Sequence, residues 1–284
     1  MKLLGVIANC AKDRAPSVLV RLRRKAESLG LTLLPDTATA GLMGLNSRAT
    51  PFDVVQQADT VMVLGGDGSM LRAARELEGR DVPVIGVNLG SLGFMTSVTE
   101  NDLERALDCL VADNFTTSLR MMLDCVTVRD GKRVGSYRAL NDVVVLCGSR
   151  AGTLRMTVER EQVGDFICDG LIVSTPTGST GHSLSAGGPV LMPTSPAVVA
   201  TLICPHTLST RPLVLPADSA IDVTVVERVV DARLSVDGQV GQTLEIGDGV
   251  KITRSTHGVR FIHLPGYSYF SVMRQKLHWR GSNV

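Results

Sequence analysis

Over the first hundred or so residues, short apolar runs alternate with stretches in which apolar positions recur every three or four residues. Leu3 to Ala8 is a continuous apolar run, and Val18, Leu22, Ala26 and Leu29 then mark one face of a helix over Ala15 to Leu29. Leu31 to Leu34 suggests a second strand, Phe52 to Gln57 a short helix, Thr60 to Leu64 a third strand, Met70 to Leu77 a helix and Pro83 to Val87 a fourth strand. Leu103, Ala106, Leu107, Leu110 and Val111 place a further helix behind a capping-like sequence at Thr99 to Asp102. Strands buried on both faces and separated by helices at this spacing predict a parallel sheet, so residues 1–113 are expected to form an α/β domain.

From about Asn114 the texture changes to short Val-, Thr-, Leu- and Ile-rich runs broken by Gly, Asp and Asn turns. Met122 to Val128, Val143 to Leu146, Leu154 to Val158, Leu171 to Val173, Ile221 to Val226, Leu234 to Val236 and Val250 to Thr253 read as strands. Residues 114–264 are therefore expected to be a mainly β domain. A last segment, 265–284, carries Tyr269, Phe270, Val272, Met273, Leu277 and the single tryptophan, Trp279, in a helix-like pattern suited to packing back on a domain surface.

Composition narrows the partners. With 29 basic against 28 acidic residues and 4% aromatics, neither a basic field nor a base-stacking surface points to nucleic acid or an anionic membrane. The six cysteines stand singly, without CxxC or Cys/His ligand spacing, so no metal site or disulfide framework is expected. No run of about 18 apolar residues occurs, and MKLLGVIANC lacks a long apolar stretch with a cleavage site. A cytoplasmic protein acting on small molecules is expected.

Three stretches carry candidate chemistry. The third strand runs into Gly65-Gly66-Asp67-Gly68 at the start of a helix. Glycines let a ligand approach the backbone and a helix start offers N–H groups to phosphate. Asp67 would repel phosphate oxygens unless it takes a proton or holds a metal, although an ordinary Asp-Gly turn capping a helix uses the same residues. A second glycine-bearing loop, Asn88-Leu89-Gly90-Ser91-Leu92-Gly93-Phe94, follows the fourth strand, and ligands of open α/β sheets bind at that edge. In the β-rich half, Thr175-Pro176-Thr177-Gly178-Ser179-Thr180 gathers four hydroxyls suited to sugar or phosphate oxygens, or to local turn bonds. Asn141-Asp142 puts an amide and a carboxylate at a strand mouth, where they can read a purine edge and a ribose, although an isolated Asn-Asp pair is more often a plain turn. The loop Asn9 to Arg14 has no glycine, so the GxGxxG dinucleotide fingerprint is missing, and no GxxxxGK[ST] is present.

Together GGDG, NLGSLGF, Asn141-Asp142-Val143-Val144, DGLIVSTPTGST, SAGGP and the stretch Ile203 to Pro212 resemble the NAD kinase family, over nearly the whole chain. The resemblance implies a two-domain fold, α/β then β-rich, with a C-terminal segment returning to the first domain. It implies phosphorylation of the adenosine 2′-hydroxyl of NAD by ATP with Mg²⁺ or another divalent cation, in a homotetramer or homodimer. By position, Asp67 would be the base and Gly65, Gly66 and Arg72 would serve the phosphates. Gly68, Phe94, Asn141, Asp142, Thr180, His182 and Ser185 would serve NAD, and Asp169 would reach the site of a neighbouring subunit. GGDG is shared with diacylglycerol and sphingosine kinases, but the balanced charge does not suit a lipid kinase; a non-catalytic NAD sensor is a further alternative that Asp67 speaks against.

One departure stands out: Gly181-His182 replaces the Ala-Tyr usual in the family. An imidazole keeps a planar ring but adds a proton equilibrium near an ordinary pKa of about 6.5. The pH dependence of NAD binding should therefore differ between the wild type and His182→Tyr. Matching binding profiles between about pH 5.5 and 8 would reject a role for the imidazole.

Overall fold

The protein was analysed as a computed structural model that describes residues 2–227 and 229–279. Position 1 of the expected first domain, position 228 of the second and 280–284 of the C-terminal segment lie outside the described residues. The chain divides into two compact units, Met1–Leu119 with Val259–Val284, and Arg120–Gly258.

The first unit is built on β1 (Leu3–Ala8), α1 (Ala15–Ser28), β2 (Thr32–Pro35), α2 (Thr37–Met43), α3 (Pro51–Gln57), β3 (Thr60–Gly65), α4 (Asp67–Glu76), β4 (Val84–Asn88), a two-residue β5 (Val98–Thr99) and α5 (Leu103–Val111). The strands pair in parallel in the order β2-β1-β3-β4. Because side chains alternate across a strand, Leu4 and Val6 of β1 join Met62, Leu64, Ile85 and Val87 in one core cluster, which Val18, Leu19 and Leu22 of α1 and Leu103, Leu107 and Leu110 of α5 complete. Gly5 between them carries no side chain, which lets Val54 and Ala58 at α3 close on the opposite face. Helices thus cover both faces, the condition for an all-parallel sheet.

Two elements differ from the pattern-based expectation. The helix α2, TATAGLM, has poor intrinsic propensity and no clear periodicity, but Asp36 caps it by accepting from Thr39 N–H (2.9 Å) and Gly44 ends it in the left-handed conformation. The helix α4 begins at Asp67, three residues before the apolar pattern starts at Met70. A carboxylate in the first turn is favoured by the helix dipole, so the polar residues that look like turn are helix.

The second unit comprises β6 (Thr116–Arg129, within this unit from Arg120), β7 (Lys132–Ala139), β8 (Asp142–Leu146), β9 (Gly152–Val158), β10 (Glu161–Cys168), β11 (Gly170–Ser174), the four-residue α6 (His182–Ser185), β12 (Ala197–Ile203), β13 (Leu213–Pro216), β14 (Ile221–Glu227), β15 (Arg233–Val236), β16 (Val240–Thr243) and β17 (Gly249–His263). An antiparallel sheet in the order β13-β12-β11-β8-β15-β16 forms one layer. A second antiparallel set pairs β10 with β9, β9 with β14 and β14 with β17. Leu123, Val143, Val145, Leu171, Val173, Val198, Val223 and Val250 from both sets fill a single core. The strands β6 and β17 run well past the apolar windows Met122 to Val128 and Val250 to Thr253, because buried and exposed positions interleave along them and hide the extension from an apolar count.

From Val259 onward the chain belongs to the first unit, where Phe261 pairs with Val84 of β4 and α7 (Tyr269–Lys276) follows. Among the described residues no helix is long and apolar enough to cross a membrane.

The helix α3 opens with a reciprocal cap: Thr50 Oγ1 accepts from Asp53 N–H (3.1 Å), and Asp53 Oδ2 accepts from Thr50 N–H (2.8 Å). Thr50→Ala should therefore lower stability by about 1 kcal/mol, measured by chemical denaturation. An unchanged midpoint would show that the cap contributes nothing.

Candidate active site

In the first unit the carboxyl ends of β1, β3 and β4 lie side by side. Asn9 N–H donates to Leu64 O (2.8 Å) and Leu89 N–H to Gly65 O (3.2 Å), so the three loops leave the sheet together. The strand order reverses direction at β1 and β3, the place where open α/β sheets bind ligands. Gly66 is the extended residue before α4 and offers no side-chain cap, and its carbonyl accepts from Ser69 N–H (2.9 Å) at the helix start.

Asp67, half-buried, is held by the second loop. Phe94 N–H donates to Asp67 Oδ2 (2.9 Å) and Met95 N–H to Oδ1 (3.0 Å), so each oxygen has one bond from the backbone and keeps lone-pair capacity. A Cβ on Gly93 would fall on Asp67 Oδ1 and 2.7 Å from Thr96 Oγ1, so only glycine permits this approach. The loop is shaped from inside by Asn88. Its Oδ1 accepts from Gly90 N–H, and its Nδ2 donates to Ser91 O and to Thr96 Oγ1 (3.0 Å), which also accepts from Gly93 N–H (3.0 Å). Phe94 is half-buried, 6.4 Å from Tyr269 of α7 between ring centroids, with the ring planes tilted by 48°. Arg72 lies exposed on α4.

In the second unit Asn141 and Asp142 sit at the start of β8, beside the end of β11. Thr175 N–H donates to Asn141 O (2.8 Å), and Thr175 Oγ1 donates to Leu140 O (2.6 Å) and accepts from Gly178 N–H (3.1 Å). A Cβ on Gly178 would overlap the Asn141 carbonyl. Asn141 Oδ1 and Thr177 Oγ1 are buried without a hydrogen-bond partner, which in a folded interior signals an absent ligand or water. Asp142 is buried and its carboxyl is pushed up to about 7, chiefly by burial and then by the neighbouring Asp237.

The hydroxyl-rich segment is mostly turned inward. Ser179 Oγ donates to Pro176 O (2.7 Å) and accepts from Leu191 N–H (2.9 Å), Thr180 Oγ1 donates to Thr177 O (3.3 Å), and Ser183 shares a hydrogen with Thr201 (3.0 Å). The bonds of Ser179 to Pro176 and of Thr180 to Thr177 are the local turn bonds that Ser and Thr form with nearby backbone, whereas those to Leu191 and Thr201 tie the segment to more distant chain; of the four hydroxyls between 175 and 180 only Thr177 is without an internal partner. His182 and Ser185 lie exposed on α6, and Thr180 is half-buried.

Asp169 stands apart. Gly170 pairs with Leu146 and Ser174 with Asp142, so Asp169, one residue before this five-residue ladder, and Asp142, at its other end, are roughly 17 Å apart at the usual strand rise. Asp169 instead lines a cavity of about 400 Å³ with Ser149, Asp231 and Arg233. Among the described residues no group of three or more His, Cys, Asp or Glu side chains could hold a metal ion. Asn88, Thr96, Tyr269 and Asp237 are additions to the residues singled out from sequence; Asn88 was visible only as a loop residue, and Asp237 was not singled out at all.

The fold, an α/β unit and a mainly β unit, is that of a two-domain nucleotide kinase, as the comparisons show. The ATP-NAD kinase N-terminal domain family matches residues 4–115 and the ATP-NAD kinase C-terminal domain family residues 140–264. An NAD kinase of Geobacter sulfurreducens is 40% identical over 281 residues, 98% of this chain and 99% of its own. One of Heliobacterium modesticaldum is 41% identical over 283 residues, again 98% and 99%. The chain belongs to the NAD kinase family. Yeast NADH kinase complexed with NADH shares the fold with a TM-score of 0.91 at 23% identity, over 100% of this chain and 89% of that one. An Archaeoglobus fulgidus NAD kinase in complex with ATP does so with a TM-score of 0.78 at 22% identity, over 98% and 100%.

The raised Asp142 carboxyl has a consequence for stability. An unfolded aspartate titrates near 3.9, whereas this one holds its proton until about pH 7. Between those values the folded chain binds the extra proton, so wild-type stability declines as pH rises through that window. In the absence of nucleotide, Asp142→Asn, which keeps the shape without the charge, should gain on wild type as pH rises. Its melting temperature relative to wild type should be higher at about pH 8 than at about pH 5; an equal difference at both would show that Asp142 titrates as an ordinary carboxyl.

Proposed function

We propose that this protein phosphorylates the adenosine 2′-hydroxyl of NAD with ATP, giving NADP and ADP, and that Asp67 is the general base. The observation carrying this reading is the clamp on Asp67: a carboxylate at the first residue of α4, right after Gly65 and Gly66, fixed by two backbone N–H groups of the loop after β4. A secondary hydroxyl is a weak nucleophile near neutral pH. The Asp67 carboxylate accepts its proton as the oxygen bonds to the γ-phosphorus and the bond to the bridging oxygen breaks, releasing ADP. A positioned base of this kind contributes about 10² to 10⁴ in rate, and alignment of the reactants supplies much of the rest.

Asn141, with its unpartnered amide oxygen, and Asp142 receive the adenosine portion of NAD. Phe94, Gly68, Thr180, His182 and Ser185 complete the NAD contacts, and Arg72 with Gly65 and Gly66 serves the donor phosphates. Mg²⁺ or another divalent cation would enter with ATP and would supply neutralisation of phosphate charge. Asp169, at the far end of β8 and β11 from Asp142, serves the site of a neighbouring subunit in a homotetramer or homodimer. The protein works in the cytoplasm.

The test uses NAD, ATP and Mg²⁺, with NADP read by an NADP-specific dehydrogenase. Asp67→Asn should lose about 10² to 10⁴ of kcat while its calorimetric Kd for NAD stays within a few-fold of wild type. Unchanged turnover would remove Asp67 as the base. NAD binding by the wild type without NADP formation would make the protein a sensor.

A further inference from the structure

Asp237 lies at the turn between β15 and β16, where it and Gly238 both have positive φ, +53° and +65°, as Asp-Gly pairs in tight hairpins favour. Its side chain does not stay with the turn. Leu140 N–H donates to Oδ2 (2.9 Å), and Asn141 N–H (2.7 Å) and Asp142 N–H (3.1 Å) both donate to Oδ1. In return Asp237 N–H donates to Asp142 O (3.0 Å). The carbonyls of Leu140 and Asn141 are held from the other side by Thr175. All six backbone polar groups of residues 140–142 are therefore satisfied, three of them by one carboxylate, and what this corner leaves for a ligand is side chain: the Asn141 amide, whose Oδ1 is buried and unpartnered, and the Asp142 carboxyl.

We propose that Asp237 is a positioning residue for NAD, whose carboxylate fixes the backbone of Leu140, Asn141 and Asp142 and so sets the directions in which the Asn141 amide and the Asp142 carboxyl meet the nucleotide. The inference rests on the NAD-binding role proposed above for Asn141 and Asp142. Regular strand pairing does not reach Leu140 and Asn141, because β8 begins only at Asp142. A carboxylate is the one short side chain with enough acceptor sites for three converging donors. Its charge also acts on Asp142, adding to burial in raising that carboxyl. The other residues paired or bonded at this corner, Ser174 and Thr175 of the β11 end and Val236 of β15, do not titrate in the range of interest.

The test is Asp237→Asn, which keeps the size but turns an NH₂ group toward at least one of the three donors and removes the charge. The KM for NAD should rise about 10- to 100-fold, the range expected when hydrogen bonds to a charged group are lost, while the KM for ATP stays at the wild-type value. The acid limb of kcat/KM for NAD should also move to lower pH, since Asp142 ionises more readily without a second negative charge beside it. Where the Asn variant does not fold, Asp237→Ser retains one acceptor and no charge, and the same split between the two KM values is expected. A wild-type KM for NAD and an unmoved acid limb, even with a lowered melting temperature, would leave Asp237 as a structural residue only. Wild-type protein that neither binds nor phosphorylates NAD would overturn the kinase reading and the positioning role with it, whereas active wild type with an unaltered variant overturns the positioning role alone.

Discussion

Two backbone N–H groups held against one carboxylate form the constraint on which the candidate active site of the first unit depends. The bonds from Phe94 and Met95 to Asp67 tie the start of α4 to the loop after β4, and each surrounding feature serves that approach. Gly93 has no Cβ because one would occupy the position of Asp67 Oδ1. Asn88 and Thr96 brace the loop from within so that its N–H groups converge on Asp67 instead of turning to solvent. A carboxylate fixed in this way loses little freedom when a hydroxyl arrives, which is the advantage of a preorganised site.

The second unit uses the same kind of interaction for a different purpose. Asp237 collects the N–H groups of three successive residues at the place where the β8 ladder ends. Buried backbone donors need acceptors, and where the ladder stops a side chain must provide them. Asp67 is clamped by the backbone, whereas Asp237 clamps the backbone; in both cases a loop gains one conformation from bonds to a carboxylate. The hydroxyl segment after β11 supports the same corner, since Thr175 holds the carbonyls that Asp237 does not reach and Ser179 anchors the chain to Leu191.

Asp142 shows the electrostatic consequence. Packing its carboxyl in the interior beside Asp237 favours the neutral form, so the protein holds near neutrality a proton that an exposed aspartate would have released. Such a group is a stability cost in its charged form and a strong acceptor when a ligand offers hydroxyls to it.

Much of this was legible in the residues themselves. Continuous apolar runs and three-to-four spacing are local consequences of burial, so the strands and helices of the first unit, the parallel sheet and the shift to β structure after Asn114 could be read directly, as could the glycine-bearing turns and the family they resemble. The extent of β6 and β17, the helix at Thr37–Met43 and the start of α4 at Asp67 could not, because caps and interleaved exposure set them rather than apolar count. The sequence also left open whether the hydroxyls of Thr175 to Thr180 face a ligand or their own backbone, and nothing in it singled out Asp237. Both depend on contacts between residues far apart in the chain: Asp67 with Phe94, Thr175 with Leu140, Asp237 with Asn141. A hydrogen bond needs a partner at about 3 Å in a fixed direction, and only the folded backbone decides which of many capable side chains has one.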